Sequence, residues 1–377
     1  MREYIVFASK DHYNPLDIVR SLGEAGIRPV VIAVRDHTRQ VGASRYVKKI
    51  YYVGSPDEGI ALLLEKFSDC EEKPVLLTGD DVSIMTFDKH YDELKDRFIF
   101  SNAGAAGRID YYMDKDRLCA LAEKYGFNVA KRWKVNVGEI PADIEYPIIT
   151  KALNSYGTEW KNIVFICHNE QELKEAFSHM KSPQVLLQRY IEDKTTEYSF
   201  EGFAINHGKD VFISIHTRDL YVLQGQYCPY LDVKNCDDEE TVSRLRGMLS
   251  EIGFEGICEI EFVADSEDRM WFLEINYRNT ILGWITTVAG MPSAVLWPRA
   301  MIEGRIPEDI RKPIRPGFRA MAECFDYDAR VKSGKLSHSA WMKEYKAADA
   351  KLYKGRNDFK PFFVFMWYKL LHMRKRH

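Results

Sequence analysis

The sequence predicts an α/β chain that carries a smaller α+β lid. Three observations support this. Short apolar strands alternate with helical stretches over the first 80 residues, which argues for a parallel, doubly wound sheet. A second, compact group of strands surrounds one helix between residues 146 and 190. Last, the stretch CEIEFVADSEDRMWFLEINYR, from Cys258 to Arg278, sets two apolar, alternating runs on either side of a polar turn, the pattern of a β-hairpin.

Taken in order, Tyr4–Ala8 is an apolar strand, residues 15–25 read as a helix that stops at Gly26, and 29–34 form a second strand. A strand at 49–53, a helix at 57–67 and a strand at 74–78 continue the alternation. The next turn is Gly79-Asp80-Asp81. Open α/β sheets bind ligands beyond the carboxyl ends of their strands, so Asp80 and Asp81 either face a substrate or cap the helix that begins near Val82. No GxGxxG follows the first strand, so a dinucleotide fingerprint is absent. A helix spans 114–125 and ends at Gly126. The lid follows as strand 146–151, loop 152–161, strand 163–167, helix 170–180 and strand 184–190. Strands 197–205 and 209–216 pair antiparallel around Asn206-His207-Gly208, and helix 239–252 leads to the hairpin strands 257–264 and 270–275. Residues 281–302 read as helix with a break at Pro292, and the chain beyond 305 is Pro-rich, then mixed. These elements divide the chain into an N-terminal α/β domain (1–112), a helix with the lid (113–195), a subdomain built on the hairpin (196–310) and a C-terminal extension (311–377).

The composition is that of an ordinary globular protein, with 46% hydrophobic and 29% charged residues in 377. A net charge of −3 gives no reason to expect nucleic acid as a partner. Seven scattered cysteines without a CxxC pair fit a reducing, cytoplasmic compartment. The first residues lack a signal-peptide layout, and no apolar run reaches the length of about 18 residues needed to span a bilayer.

The hairpin carries the chemistry. Glu259 and Glu261 lie in its first strand and Glu274 in its second, each within an otherwise apolar run. Asn276 and Arg278 follow Glu274 at two-residue steps, which puts all three on one face. A buried carboxylate is costly unless a cation neutralises it. Two carboxylates and an amide oxygen are hard ligands suited to Mg²⁺ shared with substrate phosphates, and the nearby arginine suits charge on a phosphoryl group. Lys151 ends the strand YPIITK ahead of the polar loop NSYGTEWK, which fits a phosphate ligand. The strand VLLQRYIE, followed by Glu197, offers backbone groups for a purine edge and an acid for ribose hydroxyls.

In this order the elements resemble the ATP-grasp superfamily over roughly residues 1–305, and within it the D-aspartate-ligase-like carboxylate–amine ligases. VRSLGEAGIRPVVI, the TGDD turn and GFEGICEIEF point to that branch. The resemblance implies an ATP-grasp architecture with an N-terminal Rossmann-like pre-ATP-grasp domain. It also implies ATP, with Mg²⁺ (or Mn²⁺ in its place), and assigns the metal and the catalysis to the subdomain 196–310. Lys115, in MDKDRL, matches the first nucleotide-phosphate lysine and Lys151 the second, in P-x-x-x-K. Gln188, Arg189, Tyr190 and Ile191 match the strand that brackets the adenine, and Glu197 the ribose-binding acid. Glu261, Glu274 and Asn276 match the metal pattern E…E-x-N, Arg278 the arginine that touches the transferred phosphate, and Glu259 is a bystander. The sequence departs from the family in its lid loop, which has one glycine, Gly157, and in Gln188, which stands where glutamate is frequent.

The activity implied is amide formation from a small-molecule carboxylate and an amino-acid-like amine through an acyl phosphate, releasing ADP and phosphate. A carboxylase or carboxylate kinase of the same fold, or a non-catalytic ATP-binding module, is the alternative. His216 and Arg218, in ISIHTRDLY, are candidates for contacting the substrate carboxylate or acyl phosphate. Arg20 either reaches the same cleft or pairs with an acid on its own helix. The tail FKPFFVFMWYKLLHMRKRH is read either as a peripheral membrane contact or as a helix packed on the body with a solvated basic end. A homodimer is left open.

Overall fold

The computed structural model describes residues 2–10, 13–35, 39–153, 163–223 and 227–373. Its first sheet is parallel throughout. It contains β1 (Tyr4–Ala8), β2 (Val30–Val34), β3 (Lys49–Val53) and β4 (Val75–Thr78) in the order β3-β2-β1-β4. β1 is apolar on both faces because helices cover both. Ile5 and Phe7 pack with Ile60 and Leu63 of helix Pro56–Phe67, while Val6 packs with Leu16 and Val19 of helix Tyr13–Glu24. The strand order reverses between β1 and β4, so the loops after these two strands open a crevice at a switch point. There the chain passes very close to itself. A Cβ on Gly79 would come within 2.6 Å of the Asn14 backbone, so only glycine fits.

The lid sheet contains β5 (Arg132–Asn136), β6 (Ile148–Lys151), β7 (Ile166–Cys167) and β8 (Gln184–Arg189), antiparallel in the order β5-β8-β6-β7. Helix Glu170–Ser178 closes a small core of Val135, Ile148, Leu173, Val185 and Leu187.

The third sheet has seven strands: β9 (Thr196–Ile205), β10 (Asp210–Asp219), β11 (Tyr230–Lys234), β12 (Gly256–Ala264), β13 (Met270–Asn276), β14 (Phe318–Met321) and β15 (Ala350–Lys351). Their order is β13-β12-β9-β10-β11-β14-β15, antiparallel except for the β14–β15 pair. Helix Glu239–Ile252 packs Leu245 and Met248 against one face, with Cys258, Ile260 and Phe262. Helices Leu282–Val288 and Ser293–Glu303 cover the other face and merge with the core of the first sheet. The stretch 311–377, expected from the sequence as an extension, supplies β14 and β15, so this sheet continues past residue 310.

Candidate active site

The hairpin β12–β13 forms the floor of the site. Glu261 stands opposite Glu274 and Glu259 opposite Asn276, so all four share a face. The register breaks between Glu261 and Phe262, which pair with Glu274 and Phe272 and leave Leu273 as the extra residue. This β-bulge allows Phe272 to face the core while Glu274, two residues on, faces the site. β9 adds Ser199 opposite Glu261 and Glu201 opposite Glu259. The Asn276 amide donates to Glu261 at 2.8 Å and to Glu259 at 3.2 Å. Burial pushes both glutamates above the usual carboxylate range, and Glu259 and Glu274 push Glu261 further.

Two lysines meet these acids. Lys115 opens helix Lys115–Lys124, whose N-terminus is capped by the Asp114 carboxylate through the Asp116 and Arg117 amides. Its ammonium pairs with Glu274. Burial opposes the Lys115 charge, but Glu274 outweighs burial and holds the lysine above its ordinary range. In turn, Lys115 holds the Glu274 carboxyl below its ordinary range. Lys151, at the end of β6, donates to the Gln188 carbonyl oxygen on β8 at 2.8 Å. Burial lowers its pKa and the neighbouring Lys115 lowers it further, while Glu274 and Glu197 act in the opposite sense. Glu197 itself pairs with Lys194. Arg189 and Tyr190 hold the crossing from the lid to β9 through backbone donation to Lys131 and Pro147, at 2.8 and 2.9 Å, and Ile191 follows them half-buried.

Arg278 connects this floor to the first sheet. Its guanidinium donates to both Asp81 oxygens, at 2.7 and 3.4 Å, and Asp81 begins the helix Asp81–Lys89 just past β4. Burial works against the Arg278 charge, and Asp81 more than restores it. Asp80 is the cap of that helix. Its carboxylate accepts from the Ser83 amide and hydroxyl and from the Ser9 amide beyond β1, at 2.8 to 2.9 Å.

No family model matches the sequence. Among curated proteins, the 2-oxoglutarate carboxylase small subunit of Hydrogenobacter thermophilus is 23% identical over 321 residues, 79% of this chain and 63% of that one. The propionyl-CoA carboxylase alpha chain of Ruegeria pomeroyi is 22% identical over 155 residues, 37% of this chain and 22% of that one. The chain therefore spans less than two thirds of either relative. Among solved structures, N5-carboxyaminoimidazole synthetase from Staphylococcus aureus superposes with a TM-score of 0.67 at 15% identity, covering 88% of this chain and 86% of that one. L-amino acid ligase from Bacillus licheniformis gives 0.63 at 14%, covering 84% and 78%. The biotin carboxylase domain of the Hydrogenobacter thermophilus 2-oxoglutarate carboxylase, solved with MgADP, ADP and bicarbonate, gives 0.64 at 18%, covering 85% and 73%. The chain has the ATP-grasp fold.

Within the ATP-grasp fold, Lys115, Lys151, Gln188, Glu197, Glu261, Glu274, Asn276 and Arg278 form one connected polar group between the lid sheet and the seven-stranded sheet. Two expected members lie elsewhere. His216 pairs in register with Phe200, and Arg218 with Tyr198, so both point to the face opposite Glu201 and Glu259. His216 stacks on Phe200 at 4.7 Å, and burial, with Lys234 nearby, lowers its pKa to about 4. It is a neutral packing residue. Arg218 lies at the surface, 5.9 Å from the Tyr198 ring. Arg20 is fully buried away from the cleft, 3.8 Å from Asp17 and 3.5 Å from Asp358. The lid loop 154–161, with Gly157, falls outside the described residues.

Two further acids, not marked by any motif in the sequence, share the face of Glu259 and Glu261. Glu201 is fully buried opposite Glu259 and accepts from the Thr280 hydroxyl at 3.3 Å, while its second oxygen has no partner. Asp219 follows Arg218, and burial together with Glu197 raises its carboxyl to about 8. Strict alternation from Glu197 through Ser199 to Glu201 would have flagged both the face and its partners.

Among the described residues no three His, Cys, Asp or Glu side chains form a complete metal cage. The donor set does fit Mg²⁺ held jointly with phosphates. Glu261 and Glu274 face each other, Asn276 bonds Glu261 and Glu259, and the burial and neighbouring acids that raise Glu261 are what a divalent cation relieves.

Proposed function

We propose that the chain is an ATP-dependent carboxylate–amine ligase that works through an acyl phosphate. The observation that supports it best is the single, largely half-buried group in which Lys115, Lys151 and Arg278 gather around Glu259, Glu261 and Glu274. Three acids crowded with three cations at the mouth of a crevice are more than a structural ion pair needs, and they suit metal-bound phosphates.

In this reading Glu261, Glu274 and Asn276 hold Mg²⁺, which when bound offsets phosphate charge. Lys115 and Lys151 hold the phosphate oxygens, Gln188 and the backbone of 189–191 bracket the adenine, and Glu197 takes ribose hydroxyls. A substrate carboxylate oxygen bonds to the γ-phosphorus as the bond to ADP breaks. The amine then attacks the acyl carbon and phosphate leaves. Arg278, fixed by Asp81, sits where the floor meets the first-sheet crevice and holds charge on the moving phosphoryl group. The resemblance of the sequence to D-aspartate-ligase-like enzymes makes amino acids the first acceptors to try.

A second reading is ATP-dependent carboxylation, with bicarbonate as the activated acid. It is favoured by the fact that both curated relatives are carboxylases. One experiment separates the two. Pools of amino acids and small carboxylates, and bicarbonate alone, are incubated with MgATP and read by phosphate release and mass spectrometry. ADP, phosphate and a product mass equal to acid plus amine less water support the ligase. Turnover that requires bicarbonate supports the carboxylase. AMP and pyrophosphate overturn the acyl-phosphate mechanism.

A further inference from the structure

The helix Lys360–Met373 takes no part in this chemistry and is apolar on nearly every side. One side is packed. Phe362 and Phe365, half-buried, pack against the core, Phe365 meets the Tyr353 and Tyr13 rings at 4.9 and 6.5 Å, and Lys369 pairs with Asp328. The other side is bare. Phe363 and Trp367 are each 66% exposed and Leu370 is 50% exposed, at helical steps of four and three, and Phe359 at 43% extends the stripe.

Charge completes the pattern. Residues 351–377 contain eight lysines and arginines against one acid, Asp358, in a chain of net charge −3. Asp358 is buried beside Arg20, so it does not offset that charge at the surface. No described helix is long and apolar enough to cross a bilayer. A bare aromatic stripe flanked by basic residues suits the boundary between headgroups and acyl chains, where Trp and Phe insert and Lys and Arg meet lipid phosphates. A two-fold contact between copies of the chain would instead bring two such basic segments together.

We propose that this helix docks the protein on an anionic lipid surface, with Phe363, Trp367 and Leu370 as the inserting side chains. Phe365 packs on Tyr13, which opens the helix after the β1 loop, so docking brings the first-sheet crevice close to the lipid. The proposal holds whichever reaction the site performs.

Cosedimentation of the full chain with phosphatidylcholine vesicles, with and without phosphatidylglycerol, tests it. The full chain should pellet with the anionic vesicles. Pelleting should fall at least about tenfold with neutral vesicles or in the variant Phe363→Ser/Trp367→Ser/Leu370→Ser, and should weaken as salt rises. The single variant Trp367→Ser provides the same comparison if the triple variant melts early. Failure of the full chain to pellet, equal pelleting of a folded variant, or a halved solution mass in the variant, which would mark the stripe as a contact between copies, each overturns the proposal.

Discussion

Glu274 is ionised because Lys115 lies against it, and this pair sets the charge balance of the site. Glu274→Gln keeps the shape and removes the charge. Phosphate release in MgATP assays should fall by about 10² to 10³, and unchanged turnover would overturn the metal assignment. His216→Phe should leave kcat within about threefold of the parent, because a stacked ring outside the cluster is replaced by another ring. A loss of a hundredfold would return His216 to the site. Asp219 gives a pH signature. Its carboxyl is raised to about 8 by burial and then by Glu197. Between the unfolded value near 3.9 and that pH, the folded protein keeps a proton the unfolded chain has lost, so stability falls as pH rises. Asp219→Asn lacks this penalty. The difference in melting temperature in its favour should therefore widen from about pH 5 to about pH 8; a constant difference refutes the assignment. At this scale the hairpin acids and Lys151 stand out in the sequence because charges within apolar strands are conspicuous, whereas Lys115, which opens a helix, is singled out by the resemblance alone. His216 and Arg218 attracted attention as chemically versatile residues, while the parity of β10, which decides the face, depends on a register that only the pairing with β9 reveals.

At the scale of elements, the hairpin is rigid because its back is aromatic. Phe262 contacts Phe127, Phe200 and Phe272 at ring distances of 5.1 to 5.7 Å. Phe262→Ala should cost about 3–5 kcal/mol in urea denaturation, and a cost under about 1 kcal/mol would mean the cluster can collapse around the gap. Long periodic elements could be read from sequence: helix Glu239–Ile252 and strands Tyr4–Ala8 and Lys49–Val53 have the expected bounds. β5, β11, β14 and β15 could not, since two to five residues with charges among them give no sustained period. The bulge at Leu273 was also hidden, because it shows only when two strands are counted against each other.

At the scale of the molecule, Arg20 fastens the C-terminal segment to the first domain. It donates to the carbonyls of Leu352, Tyr353 and Asp358 at 3.0 to 3.1 Å. Arg20→Met would strand two buried aspartates and three carbonyls, at a cost of about 3–5 kcal/mol. Limited proteolysis should then cut beyond residue 350 before the rest, and uniform resistance would argue against the fastening. The seven-stranded sheet has a further consequence. Six strand spacings of about 4.8 Å put β13 and β15 roughly 29 Å apart on opposite edges of one hydrogen-bonded slab. The strand that carries Glu274 and the strand that leads to the tail therefore do not touch within the sheet. What joins the tail to the site is the first domain, held by Arg20 on one side and by Arg278 on the other.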